Sequence, residues 1–387
     1  MTARPQLRVK PREGKRARAG APWLFSNEIE MQKTLVPGTI VNVAFDDGRP
    51  LGTGFFNPKS LIAVRLVDPA LDVALDADFF VARFARALAL RDALYGTPYY
   101  RLIHAEGDLL PGLVIDRFGD TVSVQITTAG MEALKDTIIA ALKRVLDPAR
   151  IILRADAPSR ALEGLDSYVD AAGSGRITVE ENGVTYFADA AGGQKTGWYY
   201  DQRDNRAFMA ALSKGKTVLD AYAYVGGFGL AAAKAGAKAV TGLESSAAAV
   251  AHAEEAAKAG HLAANFVKAD VFEELERLAA AKQSFDVVNA DPPPFVKAKK
   301  DLETGAKAYR KLAKLSATVT APGGVLFIAS CSHNIGMDRL AFECAAGIAR
   351  AGRPARLIRM AGGGPDHPIH PMLPESAYLK ALVYALD

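Results

Sequence analysis

Short apolar segments alternate with helical patterns through the second half of the chain, and a polar or reactive residue stands at the end of each apolar segment. These residues are, in chain order, Asp220, Glu244, Asp270, Asp291 and Cys331. Alternating strands and helices predict a parallel, doubly wound α/β sheet. Because the ligands of such sheets bind beyond the carboxyl ends of the strands, the five residues are predicted to meet in one crevice.

The first of these apolar segments, residues 216–230, runs into a glycine-rich turn before an alanine-rich stretch. Glycines let a backbone turn sharply and approach a ligand closely. Glu244 follows Asp220 by about the 20 residues typical of a nucleotide-binding unit, so Glu244 is predicted to bind ribose hydroxyls. This spacing fits both a dinucleotide and S-adenosylmethionine. Asp270, which opens a helix after the third strand, suits an adenine amino group.

Residues 291–295, with the sequence DPPPF, follow the fourth predicted strand. Dehydrogenases have no counterpart of this sequence. The glycines of the preceding turn also do not spell the G-x-G-x-x-G of dinucleotide-binding proteins. A methyltransferase is therefore favoured over a dehydrogenase.

Three domains are predicted, over residues 1–72, 73–190 and 191–387. The first is a small β-rich module of short strands and turns. The second is a mixed α+β domain with a helix over residues 78–95, a hairpin turning at Gly119 and Asp120, a helix over residues 131–146 and a hairpin turning at residues 181–183. The third holds the parallel sheet, and its last strand, residues 378–386, is expected to insert antiparallel.

The N-terminal segment is rich in cations. Seven of them precede residue 19, against the single acid Glu13, and the predicted phosphate contacts among them are Arg12, Lys15, Arg16 and Arg18. Such a cluster can neutralise phosphates and make binding depend on salt. A basic terminus that is merely solvated has the same pattern, so the charges alone leave both interpretations open.

Composition sets wider bounds. The 387 residues allow two or three domains, and the net charge of +4 is compatible with RNA but also with many other enzymes. No apolar run is long enough to predict a membrane span or a signal peptide. The two cysteines predict a reducing, cytoplasmic location and are too few for a structural zinc site, so no metal is expected.

Several motifs resemble the bacterial 23S ribosomal RNA cytosine carbon-5 methyltransferase family. They are GGQKTGWYYDQR (192–203), DAYAYVGGFG (220–229), ADVFEEL (269–275), DPPPF (291–295) and SCS (330–332), with further matches at 21–29, 101–120 and 366–380. The resemblance covers nearly the whole chain. It implies a PUA-like RNA-binding domain, a middle domain that helps to position RNA, and a class I, Rossmann-like methyltransferase domain that uses S-adenosylmethionine.

The expected partner is 23S ribosomal RNA, with a homodimer as a further expectation and no membrane. The resemblance places residues 192–203 over the cofactor, with Gln202 and Arg203 near its methionine end. The full set of predicted cofactor contacts is Gln202, Arg203, Asp220, Tyr222, Gly226, Gly227, Glu244, Ser245, Asp270, Val271 and Asp291.

The chemistry at cytosine carbon 5 accounts for Cys331. That carbon is too weak a nucleophile to attack a sulfonium methyl group, so a nucleophile must first add to carbon 6, and a thiolate does this best. Cys331 is the predicted nucleophile, and Asp291 is predicted to bind the N3 and amino edge of the cytosine. A related branch carries a second Cys after the proline of the fourth strand, where this chain has Pro293, so the base that removes the proton stays open.

Two other functions fit part of the sequence. In exocyclic-amino methyltransferases, an acid and a backbone carbonyl hold the target amine while an aromatic ring stacks on the base, and Asp291, Pro292 and Phe295 fit that pattern. Cys331 would then be structural. A non-catalytic RNA-binding or assembly protein is the third possibility, and the complete set of acids together with Cys331 argues against it.

Overall fold

The computed structural model describes residues 4–171, 175–193 and 196–387, and the chain divides into two units. The first unit comprises Met1–Ile177, Asp189–Trp198 and Pro365–Ser376. The second comprises Thr178–Ala188, Tyr199–Gly364 and Ala377–Asp387. Among the described residues, none of the helices combines the length and the apolar character that crossing a membrane requires.

A five-stranded sheet opens the first unit, in the spatial order β1-β3-β4-β5-β2. Its strands are β1 Gln6–Arg8, β2 Trp23–Phe25, β3 Thr39–Ala44, β4 Pro50–Phe56 and β5 Ile62–Asp68, and the short helix α1 covers Lys15–Arg18. Strands β1 and β3 are parallel, whereas the other pairs are antiparallel. These strands bury an apolar core that includes Leu7, Val41, Val43, Phe56 and Val64.

A second five-stranded sheet follows, in the order β10-β9-β8-β7-β6. Its strands are β6 Tyr99–His104, β7 Leu113–Phe118, β8 Thr121–Ile126, β9 Arg150–Ala155 and β10 Tyr168–Ala171, and its helices are α2 Ala77–Leu94, α3 Ala129–Ala133 and α4 Lys135–Leu146. Short 3-10 helices cover Ala105–Asp108 and Pro158–Glu163. The hairpin predicted to turn at Gly119 is confirmed, because β7 and β8 pair through Phe118 and Thr121.

The prediction of a single helix over residues 131–146 is wrong, because the structure contains two helices that meet at Leu134. The N–H of Leu134 donates to the Met131 carbonyl at 3.2 Å, three residues back rather than four. A tight turn of this kind interrupts the α-helical ladder without a glycine or a proline. The sequence therefore carries no breaker that predicts it.

Strands β11 Arg176–Glu181 and β12 Val184–Asp189 form a two-stranded hairpin. Asn182 and Gly183 at its tip have φ angles of 51° and 76°. Two consecutive left-handed residues make the type of turn whose twist suits a hairpin, which explains the Asn-Gly pair. The hairpin predicted here is confirmed.

The second unit contains a seven-stranded sheet in the order β15-β14-β13-β16-β17-β19-β18. The strands are β13 Thr217–Ala221, β14 Ala239–Glu244, β15 Ala264–Lys268, β16 Phe285–Ala290, β17 Thr320–Ser330, β18 Ala355–Ala361 and β19 Lys380–Leu386. The helices are α5 Arg203–Ala211, α6 Gly227–Lys234, α7 Ala247–Ala259, α8 Val271–Ala280, α9 Leu302–Thr318 and α10 Met337–Arg350. Short 3-10 helices cover Tyr200–Gln202 and Lys299–Asp301. A further 3-10 helix, Pro374–Ser376, belongs to the first unit.

Strands β13 to β17 are parallel to one another, and β19 is antiparallel to both β17 and β18, as predicted for the last strand. One face of the sheet packs on α8, α9 and α10, and the other packs on α5 and α6. The order reverses direction between β13 and β16, which is where sheets of this type bind ligands. The predicted doubly wound α/β fold is confirmed.

The predicted boundaries after residues 72 and 190 stay predictions. The structure groups the two N-terminal sheets in one unit, and it groups residues 178–188 of the hairpin with the parallel sheet.

Candidate active site

The glycine turn between β13 and α6 is held in shape by Asp220. The Oδ2 atom of Asp220 accepts a hydrogen bond of 2.7 Å from the N–H of Gly229, and a Cβ atom at Gly229 would lie 3.1 Å from that oxygen. Tyr222 and Gly226 have positive φ angles of 65° and 84°, so the turn depends on left-handed backbone. Asp220 thus shapes the turn, while its predicted contact with the cofactor stays a prediction.

The acids at the ends of β13, β14 and β16 influence one another electrostatically. Burial raises the pKa of the Asp220 carboxyl to about 7, and the negative charges of Asp291 and Glu244 raise it further, although the hydrogen bond from Gly229 opposes the change. The structure therefore brings these three acids together at one end of the sheet.

Glu244, the last residue of β14, is fixed by three donors. Its Oε2 accepts from the N–H of Tyr224 at 2.9 Å, and its Oε1 accepts from the N–H of Ser246 at 2.8 Å and from the Ser245 hydroxyl at 3.1 Å. Each carboxylate oxygen has two lone pairs, so Oε2 keeps one acceptor position for a ligand. Glu244 is therefore a preoriented carboxylate beside the glycine turn.

Asp270 caps helix α8. Its Oδ1 accepts from the N–H of Glu273 at 3.0 Å, and the residue is otherwise exposed. Val271, the first residue of the helix, is buried. Burial raises the pKa of the Tyr222 hydroxyl, and the charge of Asp270 adds to that effect, so these two side chains lie in one neighbourhood. The capping role accounts for one oxygen of Asp270 and leaves the other for a ligand.

Asp291 follows β16 directly and is held by Gln202. The Gln202 amide donates to Asp291 Oδ2 at 2.9 Å, and its own Oε1 accepts from Asn205 at 2.7 Å. Because Asn205 fixes which end of the amide faces Asp291, the carboxylate is presented in one orientation. The structure thus places Gln202, which the resemblance assigned to the cofactor, against the predicted substrate-binding acid.

The aromatic residue of the DPPPF segment belongs to a packed cluster. The Phe295 ring lies 5.9 Å from the ring of Phe272 and 4.8 Å from that of Tyr309. Pro292 of the same segment is buried. Both residues therefore help to build the wall next to Asp291.

Cys331 lies immediately after β17, two strands along the sheet from β13. The serines on either side of it are fixed by Tyr309, whose hydroxyl lies 2.7 Å from Ser330 Oγ and 3.1 Å from Ser332 Oγ. Ser332 Oγ also accepts from the N–H of Val296 at 3.3 Å. Cys331 itself is partly exposed. The backbone on both sides of the thiol is thus immobilised while the thiol stays accessible.

Lys380 supports the same segment from the neighbouring strand. It pairs with Ser330 in the β17–β19 register, and its ammonium donates to the carbonyls of Ser332 at 2.8 Å and Tyr378 at 2.9 Å. Burial lowers the pKa of Lys380, and the interaction with Cys331 acts in the opposite direction. A buried cation near a cysteine favours its thiolate form.

Arg203, the second residue carried over to the cofactor, lies next to the hairpin, and its contact with the cofactor stays a prediction. Its Nε is 3.7 Å from Glu181 Oε2, and its guanidinium lies 5.2 Å from the Tyr200 ring. Arg206, one turn later, makes the closer contacts with Glu181, at 2.6 and 2.8 Å. The hairpin thereby anchors the start of α5, the helix that begins right after Gln202.

The N-terminal cations lie in the first unit and differ in their surroundings. Arg16 pairs with Glu375 at 2.9 Å, and Arg18 pairs with Asp46 at 3.1 Å and lies 4.1 Å from the Phe45 ring. Arg12 and Lys15 are exposed and form no side-chain hydrogen bond or ion pair within the described ranges. The four cations are therefore not equivalent as candidate phosphate contacts.

The residues around the glycine turn fit S-adenosylmethionine. The Tyr222 hydroxyl is buried and has no partner in the part of the chain that the structure describes, so it is available to a ligand. The acceptor position that remains on Glu244 suits a ribose hydroxyl, and the remaining oxygen of Asp270 suits an exocyclic amine. Residues 194 and 195 of the segment predicted to cover the cofactor lie outside the described residues.

Four residues that build the site were not singled out from the sequence. They are Glu181, Arg206, Tyr309 and Lys380, which lie on a hairpin, two helices and the last strand. Each acts through a contact between elements that are distant in sequence, so no local spacing points to it. A charged residue within an apolar strand, as Lys380 is, was the only available signal.

Comparison with known proteins gives matches over almost the entire chain. Residues 7–69 match a family model for a PUA-like domain, and residues 165–385 match one for an S-adenosylmethionine-dependent methyltransferase. The ribosomal RNA large subunit methyltransferase I of Shewanella denitrificans is 37% identical and is aligned over 98% of both chains. The protein of that name from Aeromonas hydrophila is 36% identical over 94% of both chains.

Solved structures agree on the fold. A SAM-dependent methyltransferase from Streptococcus mutans superposes with a TM-score of 0.83 at 22% identity, over 98% of this chain and 100% of that chain. A methyltransferase in complex with SAH gives a TM-score of 0.84 with the same identity and coverage. These findings confirm the predicted PUA-like module, the methyltransferase fold and the cofactor. The chain is an S-adenosylmethionine-dependent methyltransferase and belongs to the family of ribosomal RNA large subunit methyltransferase I.

Proposed function

We propose that this enzyme methylates carbon 5 of a cytosine in 23S ribosomal RNA through a covalent bond to Cys331. The single observation that carries the proposal is the position of Cys331. It is an accessible thiol at the carboxyl end of β17, between two immobilised serines and near a buried ammonium. The names of the relatives supply the large-subunit RNA as substrate class.

The chemistry follows from the placement of the two catalytic residues. The Cys331 thiolate adds to carbon 6, and the electron pair of the 5,6 double bond becomes available at carbon 5. Asp291 binds the N3 and amino edge of the base: a proton on its carboxyl group would hydrogen-bond N3, where negative charge develops when the thiolate adds. S-adenosylmethionine supplies an electrophilic methyl group. A base then removes the proton from carbon 5, the double bond re-forms, and the thiolate leaves carbon 6.

Gln202 acts as a positioning residue in this proposal. Its amide is fixed by Asn205 and donates to Asp291 Oδ2, so it holds the carboxylate in one orientation. Tyr309 and Lys380 do the same for the backbone around Cys331. Such preorganisation lowers the cost of orienting groups when the reaction occurs.

The competing function is exocyclic-amino methylation by Asp291 and Phe295. The packing of the Phe295 ring against Phe272 and Tyr309 favours a role in the pocket wall over one as a free stacking platform. The discriminating experiment is to incubate the protein with radiolabelled S-adenosylmethionine and 23S RNA and to separate the digested nucleosides. We expect label in 5-methylcytidine. Label in a methylated adenosine or guanosine would contradict the proposal.

A cytoplasmic location and a homodimer remain predictions. The first accords with an RNA substrate and with a chain that has two cysteines. We further propose that the PUA-like module over residues 7–69 contributes to RNA binding.

Replacing Glu244 by Ala is expected to weaken S-adenosylmethionine binding about tenfold or more. A carboxylate that accepts hydrogen bonds from ribose hydroxyls contributes roughly 1.5 to 3 kcal/mol. Calorimetry on the purified variant measures this directly. The matched control is Glu254→Ala, which removes an exposed acid from α7 and should leave the affinity unchanged. Equal affinities for the two variants would mean that Glu244 does not bind the ribose.

Replacing Arg12 and Lys15 by Gln is expected to flatten the slope of log affinity for RNA against log salt by about 0.7 for each lost phosphate contact. Arg16 and Arg18 already have acidic partners, so their replacement should change the slope less. Filter binding at about 50 to 200 mM salt, where such slopes are resolved, compares the two double variants. One lacks Arg12 and Lys15, and the other lacks Arg16 and Arg18. Identical slopes would show that the exposed pair does not contact RNA.

A further inference from the structure

Helix α9 carries a line of cations on its exposed side. Lys307, Lys311 and Lys314 are exposed and lie four and three residues apart, so they share one face of the helix. Together with Arg310 of the same helix and Arg350 at the end of α10, they line a groove of about 340 Å³. The groove has five cationic residues in its lining and no acidic one.

Two of these five cations form ion pairs with acids that the structure describes. Arg310 pairs with Glu343 at 2.6 Å, and Lys311 pairs with Glu276 at 2.9 Å. Lys307, Lys314 and Arg350 form no side-chain hydrogen bond or ion pair with any residue that the structure describes. Like charges that share a groove repel one another, so the groove favours the binding of an anion.

Further exposed cations follow the DPPPF segment. Lys297, Lys299 and Lys300 follow Phe295 in the chain, and all three are exposed. Helix α9 also packs on this segment, because a Cβ atom at Gly305 would lie only 2.6 Å from the Phe295 carbonyl oxygen. Exposed lysines therefore follow the segment that carries Asp291 and recur in the groove on α9, with Asp301 and Glu303 between the two sets in the chain.

The length of the line indicates a polymer rather than a single small anion. Lys307 and Lys314 are separated by about 10 Å along the helix axis, at 1.5 Å per residue. One phosphate or carboxylate group cannot contact both ends. A chain of phosphates can, and it needs no sequence-specific contact to do so.

We propose that this cationic groove, formed by Lys307, Arg310, Lys311, Lys314 and Arg350, binds the phosphate backbone of the RNA next to the target base. This inference rests on the proposed function and deepens it, because it gives the substrate a path along the methyltransferase domain in addition to the PUA-like module. The groove would hold the flanking nucleotides while the target base reaches Asp291 and Cys331.

The test is a triple variant that replaces Lys307, Lys314 and Arg350 by Gln. These three cations form no ion pair within the described part of the chain, so the fold should not change. We expect the slope of log affinity for RNA against log salt to flatten by about 2, at about 0.7 for each of three contacts. The KM for RNA should rise at least tenfold at about 0.15 M salt, with kcat at saturating RNA and cofactor affinity within about twofold of the wild-type values.

The matched control replaces Lys214, Lys258 and Lys282 by Gln. These are three exposed cations of the same unit that do not line the groove. The control variant should keep the wild-type slope and KM. If both triple variants change the slope equally, the effect is one of net charge and the groove proposal is overturned.

Failure of the groove and failure of the proposed function are distinguishable. A wild-type protein that methylates no RNA contradicts the proposed function. If the wild-type protein methylates RNA and the groove variant has an unchanged KM and salt slope, only the groove proposal is overturned. The groove proposal would also be overturned if the triple variant lost binding to polyglutamate while its RNA binding stayed at the wild-type level. The groove would then bind an acidic protein segment.

Discussion

Replacing Cys331 by Ala is expected to reduce methyl transfer by about 10⁴-fold or more, because removal of a catalytic nucleophile has effects of this order. The hydrogen bonds that shape the glycine turn involve Asp220, Gly229 and Glu244, so cofactor affinity should stay within about twofold. Single-turnover assays with excess enzyme measure the chemical step, and calorimetry measures the binding.

The chain offers its own control for this variant. Cys344 is fully buried on α10, and burial raises the pKa of its thiol, so it is inert as a nucleophile. Cys344→Ala should therefore keep the turnover rate of the folded protein. Retained turnover in Cys331→Ala would contradict the covalent mechanism and would favour amino methylation by Asp291 and Phe295.

Replacing Glu181 by Gln is expected to lower the free energy of unfolding by about 3 to 5 kcal/mol, the usual cost of leaving one member of a buried ion pair uncompensated. Glu181 and Arg206 are both buried, and Arg206 donates to both carboxylate oxygens and to the Tyr199 carbonyl. Although burial alone would lower the pKa of Arg206, its interaction with Glu181 raises the pKa.

Urea denaturation of the Glu181→Gln variant measures the change. Glu180→Gln is the matched control, because Glu180 is the preceding residue of the same strand and is exposed. It should change the free energy of unfolding by no more than about 0.5 kcal/mol. Equal effects of the two substitutions would mean that the buried pair does not stabilise the fold.

The course of the parallel sheet is predictable because each of its strands is a short apolar run that ends at an acid or at Cys331. Such a pattern is local, and the rule that parallel strands align their carboxyl ends converts it into a crevice. The Asn-Gly turn at residues 182 and 183 is predictable for the same reason, since only its own backbone angles matter.

Contacts between distant elements were not predictable in this way. The sequence gives no sign that Arg206 reaches back to Glu181, that Tyr309 fixes the serines around Cys331, or that Lys380 binds the Ser332 carbonyl. The contact between Arg203 and Glu181 is a further example, since no local motif points to it.

The most direct test of the covalent mechanism uses RNA that carries 5-fluorocytosine at the target position. After methyl transfer, fluorine blocks the loss of a proton from carbon 5, so the bond between Cys331 and carbon 6 cannot break. We predict a stable complex of protein and RNA by denaturing electrophoresis and intact mass. It should require S-adenosylmethionine, form with Cys344→Ala and be absent with Cys331→Ala. Methylation of unmodified RNA by the wild-type protein, together with no complex on the fluorinated RNA, would contradict the account.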